Sequence, residues 1–330
     1  MDTAAKKQPD NTSIQMHMAN DLTAHADLEH TFIVNYGAET LSSAENVTAP
    51  VFGNIRTVEL WQGMFDSTND HHHDWKIYQN DQYLMACAPT QSLIHSSIDQ
   101  ATESAYTQIF KVTEALGFPY LLRTWNYIPD ITKLSASNNH YQQFCSGRAR
   151  AYNNSRDNQI YPAATVVGIH KEELIIYFIA GKTAGLGVEN PLQVSAYMYP
   201  QEYSKDPPLF SRAVIHRNNL QEIMFVSGTA SIVGHSTQHE CDVVKQLDVC
   251  LANIQQLLTT AANKNQFSSI SLADMTQLKV YIKNPDDFAT VRNHMKKVLG
   301  ENFNACFIQA DLCRDNLLVE IEALAIHAIN

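Results

Sequence analysis

The 330-residue chain has no CxxC pair: Cys87, Cys145, Cys241, Cys250, Cys306 and Cys313 stand singly along it. That spacing indicates neither a zinc site nor a disulfide framework, so buried thiols are the expectation. Long apolar runs are missing as well. The first 25 residues, MDTAAKKQPDNTSIQMHMANDLTAH, hold no stretch of the length a signal peptide needs, and no later segment approaches a membrane span. A cytoplasmic protein with no membrane partner is expected. Positive charge is scarce: 23 Lys and Arg against 34 Asp and Glu give a net charge of -11, which argues against nucleic acid as a partner. An anionic ligand would have to be met by local arginines acting against that field.

What is present is the composition of a soluble globular protein, 45% hydrophobic and 17% charged, with length enough for two domains. NDHHHDW (69–75) has the look of a metal tract. Consecutive His71, His72 and His73 point in different directions on a helix or a strand, however, so a solvated loop is expected and no metal.

The elements come in a repeated order. A helix over about 98–117, closing at Gly117, precedes YLLRTWNYIPD (120–130), as a helix over about 240–262 precedes QLKVYIKNPD (277–286). Both strands end in Tyr-Ile with Pro-Asp shortly after. A second helix near 139–152 leads to ATVVGI (164–169) and ELIIYFIAG (173–181). A helix opening at Asn284 with Pro285 in its first turn leads likewise to NACFIQADL (304–312) and LLVEIEALA (317–325). The pattern predicts an α+β fold of two related units, mixed sheets with helices packed on one face, joined by a Pro- and Tyr-rich connector over about 182–213. The expected division is a flexible segment 1–25, an N-terminal unit 26–200 and a C-terminal unit 201–330.

The last strand poses a problem. With a period of two, Leu318, Glu320, Glu322 and Leu324 share one face, and Val319, Ile321, Ala323 and Ala325 share an apolar one. Either the strand is an edge with its second face in water, or the carboxylates are paired, solvated in a cleft, or kept protonated. Laying LIIYFIA over this strand places Tyr177 at the position of Glu320 and Ile179 at that of Glu322. The carboxylates then belong to one unit only, which favours a functional role.

The second half, through FVSGTAS (225–231), NIQQLL (253–258), VYIKNPDDFATV (280–291) and RDNLLVEIEALA (314–325), resembles the RidA/YjgF fold. In that fold an arginine six residues before the first Glu of the strand helps to build a carboxylate-binding cleft, and Arg314 and Glu320 keep that spacing. Over nearly the whole chain the resemblance is to the chorismatases. It is carried by RTWNYIPDI (123–131), YQQFCSGRARAY (141–152), YPAATVVG (161–168), YFIAG (177–181), ENPLQVSAYMYPQEY (189–203), FSRA (210–213) and FVSGTASIVGH (225–235). The resemblance implies cleavage of chorismate with release of pyruvate from its enolpyruvyl ether, without metal or organic cofactor. The hydrolytic group has Ala where this chain has Gly228, and 3-hydroxybenzoate producers pair that Gly with a Cys at the place of Cys313. The resemblance therefore implies a 3-hydroxybenzoate synthase, and leaves open whether 4-hydroxybenzoate is also made. A hydrolase giving a dihydroxycyclohexadiene carboxylate, an enamine or imine deaminase, and a binding protein without turnover are the alternatives.

An enol ether is cleaved by protonating its terminal carbon, which needs an acid beside the methylene. Glu320, on an apolar strand that raises a carboxyl pKa, is the expected acid. Glu322 would orient an arginine, keep Glu320 protonated by like-charge repulsion, or serve as a structural hydrogen-bonding group. Two substrate carboxylates call for guanidinium pairing, and Arg148, Arg212 and Arg314 are the candidates, with Arg150 and Arg123 weaker. Tyr141, Tyr197, Tyr199 and Tyr203 could bind a ring hydroxyl or a carboxylate, and Ser227 and Thr229 flank Gly228 as donors. Cys313 would shape the pocket or shuttle a proton, a buried structural thiol being the plainer reading. Two fused units predict a monomer.

Overall fold

The computed structural model describes residues 12–19, 30–37, 41, 44–47, 49–52, 58–63, 65–70, 75–88, 91–92, 96–135, 137–155, 160–264, 267–268 and 271–329. His71, His72 and His73 lie outside the described residues.

A small sheet comes first: β1 (Gln15–Ala19), β2 (Thr31–Asn35), β3 (Glu45–Asn46) and β4 (Val58–Gln62), in the order β1-β4-β2-β3. Within the segment 1–25, expected to be frayed, residues 15–19 are thus a paired strand, with Met16 buried between sheets. The first large sheet takes β5 (Asp66–Asp70), β6 (Trp75–Gln79), β7 (Tyr83–Cys87), β8 (Gln91–Ser92), β9 (Tyr120–Pro129), β12 (Ala163–Ile169) and β13 (Glu173–Gly181). Its order is β12-β9-β13-β7-β6-β5, with β8 added to β13. Between these strands run α1 (Ile98–Ala115), the hairpin β10 (Leu134–Ser135) and β11 (Asn138–Asn139), and α2 (His140–Ser155).

The second large sheet runs β14 (Leu186–Val188), β15 (Ala213–Arg217), β16 (Gln221–Ala230), β21 (Val319–Ala328), β19 (Gln277–Ile282) and β20 (Ala305–Gln309) in spatial order. The short hairpin β17 (Ile232–Val233) and β18 (Ser236–Thr237), α3 (Val243–Asn263) and α4 (Phe288–Leu299) complete the chain. Because β14 pairs with β15, this sheet takes its first strand from the connector, ahead of residue 201.

The two units repeat one topology. In α1-β9-α2-β12-β13, β12 runs parallel to β9 and β13 antiparallel to it; in α3-β19-α4-β20-β21, β20 and β21 stand in the same relations to β19. Local signals mark the ends. Gln100 Oε1 accepts from the Ser97 backbone N–H at the start of α1, the Asp242 side chain accepts from Lys245 N–H at the start of α3, and Gly117 and Gly300 follow α1 and α4 with φ of 79° and 89°.

Helices α1 and α2 cover the outer face of the first large sheet, and α3 and α4 that of the second. The inner faces meet in a third layer that holds Trp61, Trp125, Tyr127, Tyr177, Phe225, Tyr281 and Leu324. Each such large side chain contributes about 1.5–3 kcal/mol on burial. The last strand is therefore no edge: β21 lies between β16 and β19 with both faces covered, and Glu320 and Glu322 are each 4% exposed. The sheet register also corrects the strand superposition. Tyr281 pairs with Glu320 and Lys279 with Glu322, whereas Tyr127 pairs with Ile175 and Trp125 with Tyr177. With Tyr127 matched to Tyr281, Ile175 stands at the place of Glu320 and Tyr177 at that of Glu322. The slip is two residues, which preserves the face and hides the error from any argument based on alternation.

Gly147 is the close-approach point of α2 on α1, because a Cβ there would overlap the Asp99 carbonyl oxygen and lie 2.9 Å from its carbon. Backbone does not give way as a side-chain tip does. Gly147→Ala is expected to lower the unfolding free energy by about 1–3 kcal/mol, read from the urea midpoint.

Candidate active site

The two carboxylates of β21 share a face and have opposite surroundings. Glu322 accepts from Trp125 Nε1 (2.7 Å), Thr165 Oγ1 (2.6 Å), Tyr281 Oη (3.0 Å) and Arg123 Nη2 (2.9 Å), and pairs with Lys279 Nζ (2.8 Å). Burial works against its charge, but Lys279 and Arg123 prevail and hold its carboxyl down to about 2. Lys279 in turn pairs with Glu59 of β4 (2.8 Å), on which Tyr36 (2.6 Å), Tyr177 (3.2 Å) and Trp61 Nε1 (2.5 Å) converge as donors. Burial pulls the Lys279 ammonium toward neutrality, yet Glu322 and Glu59 keep its affinity for the proton above the ordinary lysine value.

Glu320, one pleat repeat away, has no hydrogen-bond partner among the described residues. Burial pushes its carboxyl up to about 8, the like charge of Glu322 adds to this, and Arg123 and Arg212 oppose it. Its side chain faces a cavity of about 400 Å³ between the two units. The wall comprises Asn139, Tyr141, Ala164 and Val166 of the first unit, Tyr199, Glu202, Tyr203, Ser204, Pro208, Phe210 and Arg212 of the connector, and Gly228, Ala230, Ile232, Cys313, Arg314, Asp315 and Asn316 of the second.

Local sequence explains the mounting. Between Val226 and Thr229 the register of β16 on β21 shifts, so two residues oppose one. This bulge brings the Gly228 backbone under Glu320. A Cβ at residue 228 would overlap Glu320 Oε1, lie 2.9 Å from its Cδ and 3.3 Å from Thr165 Oγ1. Arg212 donates to Val194 O (2.8 Å) and to Tyr199 Oη (2.8 Å), while Arg314 donates to His235 O (2.9 Å) and lies over the Tyr203 ring at 4.0 Å. Both guanidiniums are held from behind at the cavity wall. Burial, with the Glu320 charge, pushes the Cys313 thiol up to about 12, and burial raises the Tyr141 phenol likewise, so both stay protonated near neutrality.

Of the residues expected from sequence, Glu320, Cys313, Arg314, Arg212, Tyr141, Tyr199, Tyr203 and Gly228 line the cavity. Other expected residues do not. Arg148 is buried in the first unit with its guanidinium over the Phe144 and Tyr106 rings at 5.0 and 5.8 Å. Tyr197 packs against Tyr161 beside the α1/α2 core. Ser227 ties the units together, donating to Ser211 O (2.6 Å) and accepting from Ala164 N–H (2.9 Å), and Thr229 donates to Ser227 O (2.8 Å). Glu322 is sealed in its ion pairs, and Arg123 with it. Sequence reasoning missed Asn139, Ser204 and Phe210 on the wall and Lys279 and Glu59 behind it. The one available signal was a lysine in the middle of the apolar strand QLKVYI, two residues from Tyr281 and on its face.

The family model described as "Chorismatase FkbO/Hyg5-like, N-terminal" matches residues 59–180, and that described as "Endoribonuclease L-PSP" matches 207–327. A 3-hydroxybenzoate synthase of Streptomyces hygroscopicus is 32% identical over 81% of this chain and 80% of its own length, and a chorismatase of Streptomyces rapamycinicus is 38% identical over 68% and 69%. The chain belongs to the chorismatase family. It is an enzyme, and a chorismatase crystal structure superposes with a TM-score of 0.84 at 28% identity, covering 95% of this chain and 98% of that one. Among the described residues of this chorismatase no helix is long and apolar enough to cross a membrane.

The depressed Glu322 carboxyl ties stability to pH. Its contribution is complete above the unfolded value of 4.5 and is lost as pH falls from there toward about 2. Glu322→Gln, which leaves Lys279 and Arg123 short of a counter-charge, is expected to cost about 3–5 kcal/mol at pH 7. The urea midpoint of the variant should also vary less between pH 5 and pH 2 than that of the wild type.

Proposed function

We propose that this chorismatase cleaves the enolpyruvyl ether of chorismate to pyruvate and 3-hydroxybenzoate, with Glu320 as the general acid. The observation that carries this reading is a buried, unpaired carboxyl raised to about 8 at the wall of a cavity that also presents Arg212, Arg314 and three tyrosines. At neutral pH such a carboxyl holds its proton and can still give it up. Arg212 and Arg314 take the two substrate carboxylates, and Tyr141 and Tyr199 the ring hydroxyl or a carboxylate oxygen.

Glu320 protonates the terminal methylene, and an oxocarbenium ion develops beside the ether oxygen. The ring hydroxyl attacks the ring carbon that bears the ether, the ring C–O bond breaks, and pyruvate departs. The oxygen, now bonded to both ring carbons, is released from the one that first carried it, and loss of the ring proton from the carbon it has reached restores aromaticity as 3-hydroxybenzoate. One proton enters, one leaves, and no water is consumed. Cys313 closes the wall beside Glu320 as a protonated thiol, a shape role that its high pKa favours over nucleophilic attack. Gly228 sets where the acid sits, because any Cβ there would displace the Glu320 carboxyl. Both units of one chain supply the wall, which supports a monomer as the working form.

The first test is incubation with chorismate, following pyruvate by a coupled assay and aromatics by chromatography. Pyruvate and 3-hydroxybenzoate in equal amounts are expected. A non-aromatic diene alone would move the hydrolytic reaction to the front, and 4-hydroxybenzoate would add a second product. Glu320→Gln should keep chorismate binding, by calorimetry, while pyruvate release falls at least about a thousandfold. Since the acid must carry its proton, kcat/KM should be level below pH 8 and fall tenfold per pH unit above it. Gly228→Ala should lower the yield of 3-hydroxybenzoate per pyruvate, and an unchanged ratio would remove residue 228 from the control of outcome.

A further inference from the structure

Behind the active-site wall lies a closed set of charges: Glu59 and Glu322 negative, Lys279 and Arg123 positive, all at most 4% exposed. They form one chain, Glu59 to Lys279 at 2.8 Å, Lys279 to Glu322 at 2.8 Å and Glu322 to Arg123 at 2.9 Å. The sum is zero. Each cation is already matched by a carboxylate, so the set offers no spare positive charge to Glu320, about 7 Å along the strand from Glu322.

We propose that Glu59, on the small N-terminal sheet and outside the cavity, is a positioning residue that keeps the Glu320 proton in place by holding this buried charge set at zero. The inference rests on Glu320 as the acid. Glu59 is closed off from solvent and from the active-site cavity, borders a void of about 10 Å³ shared with Lys279 and Glu322, and takes hydrogen bonds on its carboxylate from Tyr36, Tyr177, Trp61 and Lys279. Without it, Lys279 would face Glu322 alone and the set would carry a net positive charge close to Glu320.

Other groups also face Glu320. They are Arg123 of β9, Arg212 ahead of β15, Cys250 of α3, Tyr281 and Lys279 of β19, Glu322 of β21, Cys313, Arg314 and Asp315 before that strand, and Tyr141, Tyr199, Glu202 and Tyr203 around the cavity. Of these Lys279 alone touches Glu59, and the replacement alters the charge of none of them. Removing a unit charge about 10 Å away at an effective dielectric constant of about 20 moves a titration midpoint by about one pH unit.

The test is carbon-13 NMR of the full chain labelled with [δ-13C]glutamate, without substrate, the Glu320 resonance being assigned by its loss in Glu320→Gln. Glu59→Gln is expected to lower the Glu320 midpoint by about one unit, and the double variant Glu59→Gln/Lys279→Met, which restores the zero sum, to bring it back. Lys279→Met alone tips the balance the other way and should raise the midpoint, which serves if Glu59→Gln does not fold. Tyr36→Phe removes a hydrogen bond to Glu59 but no charge and should leave it in place. A purely structural Glu59 would lower stability in these variants and leave the midpoint unmoved; that result overturns the inference. Pyruvate release is followed in parallel. If the midpoint moves as expected while the alkaline limb of kcat/KM stays put, the charge inference holds and the assignment of Glu320 as the acid fails.

Discussion

Charges buried between two sheets must cancel, and this chorismatase is organised around that requirement. Lys279 lies in the inner layer between Glu59 of the small N-terminal sheet and Glu322 of the last strand, and Arg123 of the first unit closes the other side of Glu322. Each of these groups would cost several kcal/mol to bury alone. Together with the hydroxyls and indoles that donate to the carboxylates, they are satisfied only when the small sheet and both large sheets are docked. The ion set therefore specifies how the three sheets meet, while the aromatic and aliphatic side chains around it supply most of the favourable free energy of burial.

The same arrangement separates the roles of two identical side chains. Glu320 and Glu322 occupy one face of one strand, yet one carboxyl is pushed up to about 8 and the other held down to about 2. The difference lies in their neighbours. Glu322 meets two cations and three neutral donors, whereas Glu320 meets the Gly228 backbone, the cavity and the repulsion of Glu322. The neighbours thus set the two carboxyls' proton affinities apart, and the bulge in β16 provides the space beside Glu320.

Much of the fold was legible because its signals are local. The spacing of apolar residues in α3, Gly117 after α1 and Pro285 ahead of α4 announce their elements without help from the rest of the chain. The duplicated helix-strand order likewise survives in sequence, down to the shared Tyr-Ile. The exact superposition of the two last strands did not, since a slip of two residues leaves every side chain on its own face and the difference between Ile175 and Tyr177 as partner is visible only in the hydrogen-bonded register. The cavity residues divide in the same way. Glu320, Arg314 and Gly228 sit in motifs with a telling spacing, whereas Arg148 and Ser227 sit in equally good motifs and prove to be a cation over aromatic rings and a tie between sheets.

By itself the sequence determined which segments form helices and strands, that two related units exist, and that one of them alone carries a pair of carboxylates on its last strand. These are properties of period, propensity and short-range capping, each a matter of a few neighbouring residues. Tertiary structure alone decided which carboxylate is paired and which is free, because Glu59 lies 220 residues from the Lys279 it pairs with and Arg123 lies 199 from Glu322. Coulomb energy and desolvation depend on distance in space and on who else is buried nearby, and no local pattern records either.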